Sequence, residues 1–473
     1  MKKAVFAIMP LFVFAMAMSA FAQGNKVDTE AKNAETVKLT ISGGLDLDWV
    51  WRDRALNATR GVFGTYDAGE SRSEGLIHGQ FHIRLDADLS EKVRVTLVLD
   101  NKRFDGNSDV LGDNPEGLGV AVRQANITMS EVFDKAVTLS VGTSNWTYDV
   151  RGGNSAMFWD PAHSATIISN RAGSLPGGNG ASSMTQDELQ PVGVTLTYNR
   201  ENLQFVLAIL PAIIEGGSAA HDEAGYVASL MYDISKTSRV GVIVALTSDS
   251  GLGGTAGDSG LYTVGIGASV KDIGVKGLEL FGEAYFQGGK VGTLGTTSAD
   301  AGGYAFELGV KWVGEGDLMP WIEGKFTYYS GDKDQTATDT DVDAFMSYEH
   351  HDDLMILQSD FYGMNWNTNI LAFIISGGAS FSVGSGKSNL HLKGVVGITK
   401  TAQDVTFGIN TEDKLGNEFD AVLTYDYSKQ VTVDAGAAFL FGSKILESLG
   451  GGSTNDNADQ SSMLFTIGVN AKF

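Results

Sequence analysis

The chain has 473 residues, with 60 Gly, 7 Pro, no Cys, a formal net charge of −23 and a mean hydropathy of −0.03. The lack of Cys excludes disulfides, thiol nucleophiles and thiolate metal sites together, and the acidic balance argues against nucleic acid as a partner. Such a length suits two or three soluble domains, or one large closed sheet whose half-apolar strands average to a hydropathy near zero.

Residues 1–22 read as a signal peptide. Lys2 and Lys3 form its charged start, Ala4 to Met18 is apolar, and Ala20-Phe21-Ala22 is an A-x-A cleavage site. Its removal takes the net charge from −23 to −25, by loss of the two lysines. Residues 23–35 are polar and form a periplasmic N-terminal segment, too short for a plug domain. No later stretch reaches about 18 consecutive apolar residues, so no transmembrane helix is expected.

Residues 36–473 read as an all-β, single transmembrane antiparallel barrel. In the first strand Leu39, Ile41, Leu45, Leu47, Trp49 and Trp51 alternate with Lys38, Thr40, Ser42, Asp46, Asp48 and Arg52. From Ile77 to Lys102 the alternation runs through two long strands joined at Ser90-Glu91-Lys92. Soluble strands average about 5–6 residues, whereas a tilted strand needs about 9–11 to cross a bilayer. The charged face cannot meet lipid, so it faces a lumen. Eighteen strands are predicted: 36–54, 76–89, 93–104, 119–130, 137–149, 190–198, 203–210, 224–232, 239–247, 260–270, 277–287, 303–313, 319–330, 369–383, 388–400, 417–427, 431–441 and 462–473. Long and short connections alternate throughout, as short periplasmic turns and long outer loops would require. The long ones include 55–75, 150–189, 211–223, 331–368 and 442–461. Ser462 to Phe473 resembles the terminal strand by which the barrel assembly machinery recognises its substrates.

Ser330-Gly331-Asp332 after Tyr328 and Tyr329, Gly363-Met364-Asn365-Trp366-Asn367-Thr368-Asn369, and Leu415 to Asp420 leading into Ala421–Tyr427 resemble the alginate export family of outer-membrane barrels. Val122 to Ala125 with Val141-Gly142-Thr143 is similar to a pattern in many large porins. The resemblance covers the last third of the chain and implies a monomeric barrel of eighteen strands. That family passes an anionic polysaccharide through a basic lumen. Here all 12 Arg lie at or before Arg239, so the resemblance carries over the fold and not the substrate.

The pore-lining candidates are the charges of lumen parity on strands one to four: Lys38, Arg52, Arg54, Arg84, Arg94, Lys102 and Arg123, with Asp46, Asp48, Asp86, Asp88 and Asp100. They either select solutes by charge or brace the interior as ion pairs. The connection 150–189, with Arg151, Phe158, Trp159 and Arg171, is the candidate for a loop folded into the lumen; a plain outward loop is the alternative. The loop 331–368 reads as an outer, solvated acidic loop bridged by cations to lipopolysaccharide. Asp339-x-Asp341-x-Asp343 opens like a calcium loop, but Ala344 and His350 stand where Gly and the bidentate Glu belong. No G-x-S-x-G or H-E-x-x-H is present, so catalysis, cofactors and metal are not expected.

The sequence therefore points to a porin-like outer-membrane channel for passive passage of a small or oligosaccharide solute. Its surroundings would be outer-membrane lipid and lipopolysaccharide. An exopolysaccharide export channel with periplasmic partners and a structural or adhesive surface barrel without conductance are the alternatives.

Overall fold

The computed structural model describes residues 37–53, 74–101, 120–143, 148, 150–151, 192–214, 221–249, 259–292, 298–332, 341–345, 353–358, 366, 368–383, 388–407, 410–444 and 461–473. The signal peptide, the segment 23–35 and candidates Arg54 and Lys102 lie outside them.

In chain order the wall is built from β1 (Lys38–Asp53), β2 (Glu74–Ser90), β3 (Val93–Asn101), β4 (Val120–Ser130), β5 (Val137–Thr143), β6 (Val192–Arg200), β7 (Leu203–Ile214), β8 (His221–Ser235), β9 (Ser238–Asp249), β10 (Ser259–Lys271) and β11 (Leu278–Gly292). It continues through β13 (Tyr304–Val313), β14 (Trp321–Tyr329), β16 (Ile370–Val383), β17 (Ser388–Lys400), β20 (Gly416–Asp426), β21 (Val431–Phe441) and β22 (Ser461–Lys472). Short β12 (Ser298–Ala301) and β15 (Asp341–Val342) pair with each other at the loop end, and β18 (Val405–Phe407) with β19 (Asn410–Glu412) forms a separate ribbon. Each of the eighteen wall strands pairs antiparallel with its chain neighbours, and β22 pairs back onto β1 from Gly44↔Lys472 to Asp53↔Met463. The sheet is closed. Gly43 and Phe473 exchange backbone hydrogen bonds of 3.0 and 3.1 Å at the seam.

Paired residues on neighbouring strands share a face, so the register carries the sequence alternation around the barrel. Leu45, Leu47 and Trp49 on β1, Val244 and Leu246 on β9, Val264 and Ile266 on β10, Phe373 and Ile375 on β16, and Ile467 and Val469 on β22 all point outward and are exposed. An apolar band of this extent is a lipid-facing surface, so the chain is a transmembrane barrel of the outer-membrane type. Near the loop end the outer face carries paired aromatics: Tyr262 and Phe286 in a tilted contact, and Tyr304 and Phe306 stacked with Tyr328 at centroid distances of 5.5 and 5.2 Å. Phe133, Tyr427 and Phe473 stand exposed at the turn end. Two such girdles mark the two headgroup regions.

Three sequence expectations need correction. The strand expected over 137–149 stops at Thr143. Its hydroxyl takes over the pairing with β4, accepting from the Ala125 amide at 2.8 Å and donating to the Ala125 carbonyl at 3.1 Å. The long connection expected over 211–223 shrinks to 215–220, because β7 and β8 stay paired out to Ile214↔His221. Period two is interrupted in β4: Val98 pairs with Gln124 and Leu99 with Val122, leaving Arg123 as the extra residue of a bulge, where alternation no longer assigns a face.

Two outcomes test this wall. Ile266→Arg, at mid-strand on the lipid face, should cost about 2–4 kcal/mol in denaturant unfolding from lipid vesicles. A cost near zero would put that face elsewhere than in lipid. Deleting Phe473 should impair membrane assembly, read as loss of the heat-modifiable band in cells; normal folding would count against the seam's role.

Candidate functional site

The inner face divides into two regions. On β7, β8 and β9 the inward residues Val206, Ala208, Leu210, Val227, Ile243 and Ala245 are fully buried, although they line the inside of a barrel. Tyr148 and Val150 belong to the same buried cluster. The chain after β5 thus turns into the lumen and seats against β9 and β10, where the wall is thinned by glycine. A Cβ on Gly241 would stand 2.8 Å from Val150 and 2.9 Å from the Tyr148 ring, and one on Gly267 2.9 Å from Val150. Burial, with Glu283 nearby, pushes the Tyr148 hydroxyl well above its ordinary pKa, so it stays neutral.

Arg151 completes this seat. Its guanidinium lies 3.5 Å from the Phe281 ring centroid, with Nη2 3.4 Å from Glu323 Oε2 and Nε 3.8 Å from Glu279 Oε1. Its carbonyl accepts from Lys271 Nζ at 3.0 Å. Removing either carboxylate would leave a desolvated cation under-compensated, so the ring and both acids act together to seat Arg151. Val150 and Arg151, the described residues of the connection 150–189, thus face inward. Phe158, Trp159 and Arg171 lie outside the described residues.

The loop 331–368 departs from its expectation in part. Asp341 and Asp343 are exposed, as a solvated loop requires, but residues 344–345 and 353–358 pack inside the barrel. Phe345 is fully buried against Tyr329 and Tyr285, at centroid distances of 5.4 and 6.3 Å. Residues 353–358 make one turn, with the Gln358 amide donating to Leu354 O at 3.1 Å. That turn lies on the inner face of β14, β17, β20 and β21. The Ile356 and Leu357 amides donate to the Glu418 carboxylate at 2.6 and 2.9 Å, and the Met355 amide to Asp420 Oδ2 at 3.2 Å. Lys325 is hydrogen-bonded to Asp353 and lies 3.3 Å from Glu307. Leu354 fills the space over Gly397, and Met355 that over Gly436. The physical reason for the reversal is that wall carboxylates supply acceptors for the turn's free amides while Leu354, Ile356 and Leu357 bury apolar area.

The turn-side interior remains open. Asp46, Asp48, His82, Arg84, Asp86, Asp88, His391, Asp426 and Asp434 are half-buried there, and Arg94 and Lys393 are exposed. All lie on the inward face by register: Lys38↔Asp88, Thr40↔Asp86, Ser42↔Arg84, Asp88↔Arg94 and Asp48↔Gly468. Lys38 is exposed at the turn end of this row. Arg84 Nε donates to Asp86 at 2.7 Å and Arg94 Nε to Asp88 at 2.6 Å. The acid and base rows are thus tied within one patch of wall. Arg52 pairs with Glu74 and Asp100 with His82 in the ladder, which gives both lumen parity. Across β21, β22 and β1, Asp48 and Asp434 converge over Gly468. A Cβ there would lie 2.3 Å from Asp48 Oδ1 and 2.7 Å from Asp434 Oδ1.

Nearby, Ser380 Oγ lies 2.6 Å from His391 Nδ1, and His391 Nε2 lies 2.9 Å from Asp426 Oδ2. The Ser380 amide is already spent on Leu318 O at 2.8 Å, so this chain reads as a brace across β16, β17 and β20. Among the described residues no group of three His, Cys, Asp or Glu is arranged to hold a metal ion.

The sequence reading missed Glu279, Glu283, Glu307, Glu323, Lys311, Lys325, Glu418 and Asp420. Each holds lumen parity on its strand, so period-two charges on β11, β13, β14 and β20 were the available signal.

No family model matches the chain, and no curated protein does. Among solved structures it is similar to OccK9 (OpdG) of Pseudomonas aeruginosa, at 11% identity and a TM-score of 0.49 over 92% of this chain and 98% of that one. OccK11 (OpdR) of the same organism gives 12%, 0.48, 92% and 96%. An anion-selective porin from Comamonas acidovorans gives 12%, 0.41, 93% and 100%. The fold assigned above rests on the strand pairings, not on these likenesses.

Replacing Arg84 and Arg94 by Gln removes the cations from two ion pairs and leaves Asp86 and Asp88 uncompensated. The reversal potential in a salt gradient should move toward cations. An unchanged potential would make both arginines braces that the passing solute does not sense.

Proposed function

We propose that the protein is a passive outer-membrane channel that favours small cationic or neutral solutes over anions. One observation carries this reading: inside a closed barrel, the charged inward row of β1, β2 and β3 stays open to water although it points away from lipid. A wet, charged lumen face is a solute path. The sign of the preference follows from the distribution of charge. Arg84 and Arg94 are engaged by Asp86 and Asp88, whereas Asp48 and Asp434 converge over Gly468 with Asp46 in the next register row. A lumen wall on which several carboxylates gather raises the local cation concentration.

The exopolysaccharide reading needs an unobstructed lumen, which the inward-packed Tyr148–Arg151 and Asp353–Gln358 oppose. Nothing specific favours it, nor the resemblance to the alginate export family.

Single-channel recording in a planar bilayer tests the proposal. Steady openings with a cation-selective reversal potential are expected, and Asp46→Asn with Asp434→Asn should reduce that selectivity. Anion selectivity would overturn the sign, and absence of conductance would leave a structural barrel as the better reading.

A further inference from the structure

We infer that Glu418 and Asp420, with Lys325, set the size limit of the channel by holding the turn 353–358 across the loop-side interior. The inference rests on the channel reading above.

Glu418 and Asp420 are two residues apart on β20, so both face inward, and both are buried. Carboxylates this close would repel one another on a bare wall. Here the turn presents three consecutive backbone amides to them, at Met355, Ile356 and Leu357. The opposite side of the turn is held by the bond from Lys325, on β14, to Asp353. The turn therefore spans from β14 to β20, and its two anchors have opposite polarity. β14 brings a cation to a loop carboxylate, and β20 brings carboxylates to loop amides.

Between these anchors the inner faces of β16 and β17 carry Ala372, Ile374, Val395 and Gly397, which offer little to hydrogen-bond. Apolar contact orients the turn there, but the hydrogen-bonded anchors on β14 and β20 fix its height in the lumen. The inward glycines Gly397 and Gly436 leave just enough room for Leu354 and Met355. Without the carboxylates, the three amides would have to find water, and the turn would gain by moving toward the loop end. Removing the anchors should thus widen the channel while leaving the wall intact, because lumen substitutions spare the lipid-facing band.

Liposome swelling with neutral sugars of graded size reads this directly. Neutral probes separate the size limit from charge selection. Wild type should admit small sugars and exclude large ones, and Glu418→Ala with Asp420→Ala should lose the cut-off. The chain has no Cys, so Met355→Cys with Gly436→Cys can be added to that variant and bridged by a short bifunctional thiol reagent. Bridging should restore the wild-type limit and reduction should abolish it again. An unaltered cut-off in the double alanine variant, with heat-modifiable folding intact, would overturn the inference. So would a widened cut-off that bridging fails to reverse, since the wall rather than the turn would then be responsible. If the alanine variant does not assemble, Glu418→Gln with Asp420→Asn should shift the cut-off in the same direction, and no shift there would count equally against it. Failure of the channel reading looks different: no sugar of any size enters vesicles carrying wild type or either variant.

Discussion

The closure of the sheet between β22 and β1 is the constraint on which everything else depends. Within a bilayer no water is present to satisfy an unpaired amide or carbonyl, and each such group costs several kcal/mol. A sheet of this length is tolerated there only without edges. The ten register pairs from Gly44↔Lys472 to Asp53↔Met463 remove the last two edges. They also fix the facing of every side chain, because a slip of one residue anywhere would turn a lumen row into lipid. The bulge at Arg123 shows how the barrel handles an extra residue. It is absorbed locally, and Val122 returns to the outer face.

That same constraint made the wall legible from the sequence. Lipid on one side and water on the other impose period two on β1, β2 and β3, so Leu45, Leu47 and Trp49 could be told from Asp46 and Asp48 without coordinates. Strand ends were less legible, because they depend on partners distant in the chain. β5 stops where the Thr143 hydroxyl meets Ala125, a contact across 18 residues that no local pattern announces.

The interior segments were the least legible, for the same reason in stronger form. Arg151 meets Glu323 across 172 residues, and Ile356 meets Glu418 across 62. The loop 331–368 is rich in Asp, which reads as solvation. Yet among the described residues only Asp353 of that acidic set takes part in the anchor, and backbone amides, which composition does not register, do the rest. Composition reports what a segment prefers alone. It is silent on acceptors waiting on the far wall.

One sign of the filled interior was nevertheless present in the strands themselves. β7 has Val206, Ala208 and Leu210 on its inner face and Leu207 and Ile209 on its outer face, so its alternation is lost; β9 behaves alike with Ile243 and Ala245 against Val242 and Val244. A strand apolar on both faces is covered on both faces. In a barrel the outer cover is lipid, so the inner cover has to be protein, and Tyr148 and Val150 are among the residues that provide it. Where alternation stays sharp, on β1, β2 and β3, Asp46, Asp48, Arg84 and Arg94 keep access to water, although Val50, Thr96 and Val98 on the same inner faces are buried. The contrast between sharp and lost alternation around the wall therefore separates the strands that carry a charged inner row from those whose inner face is covered by protein.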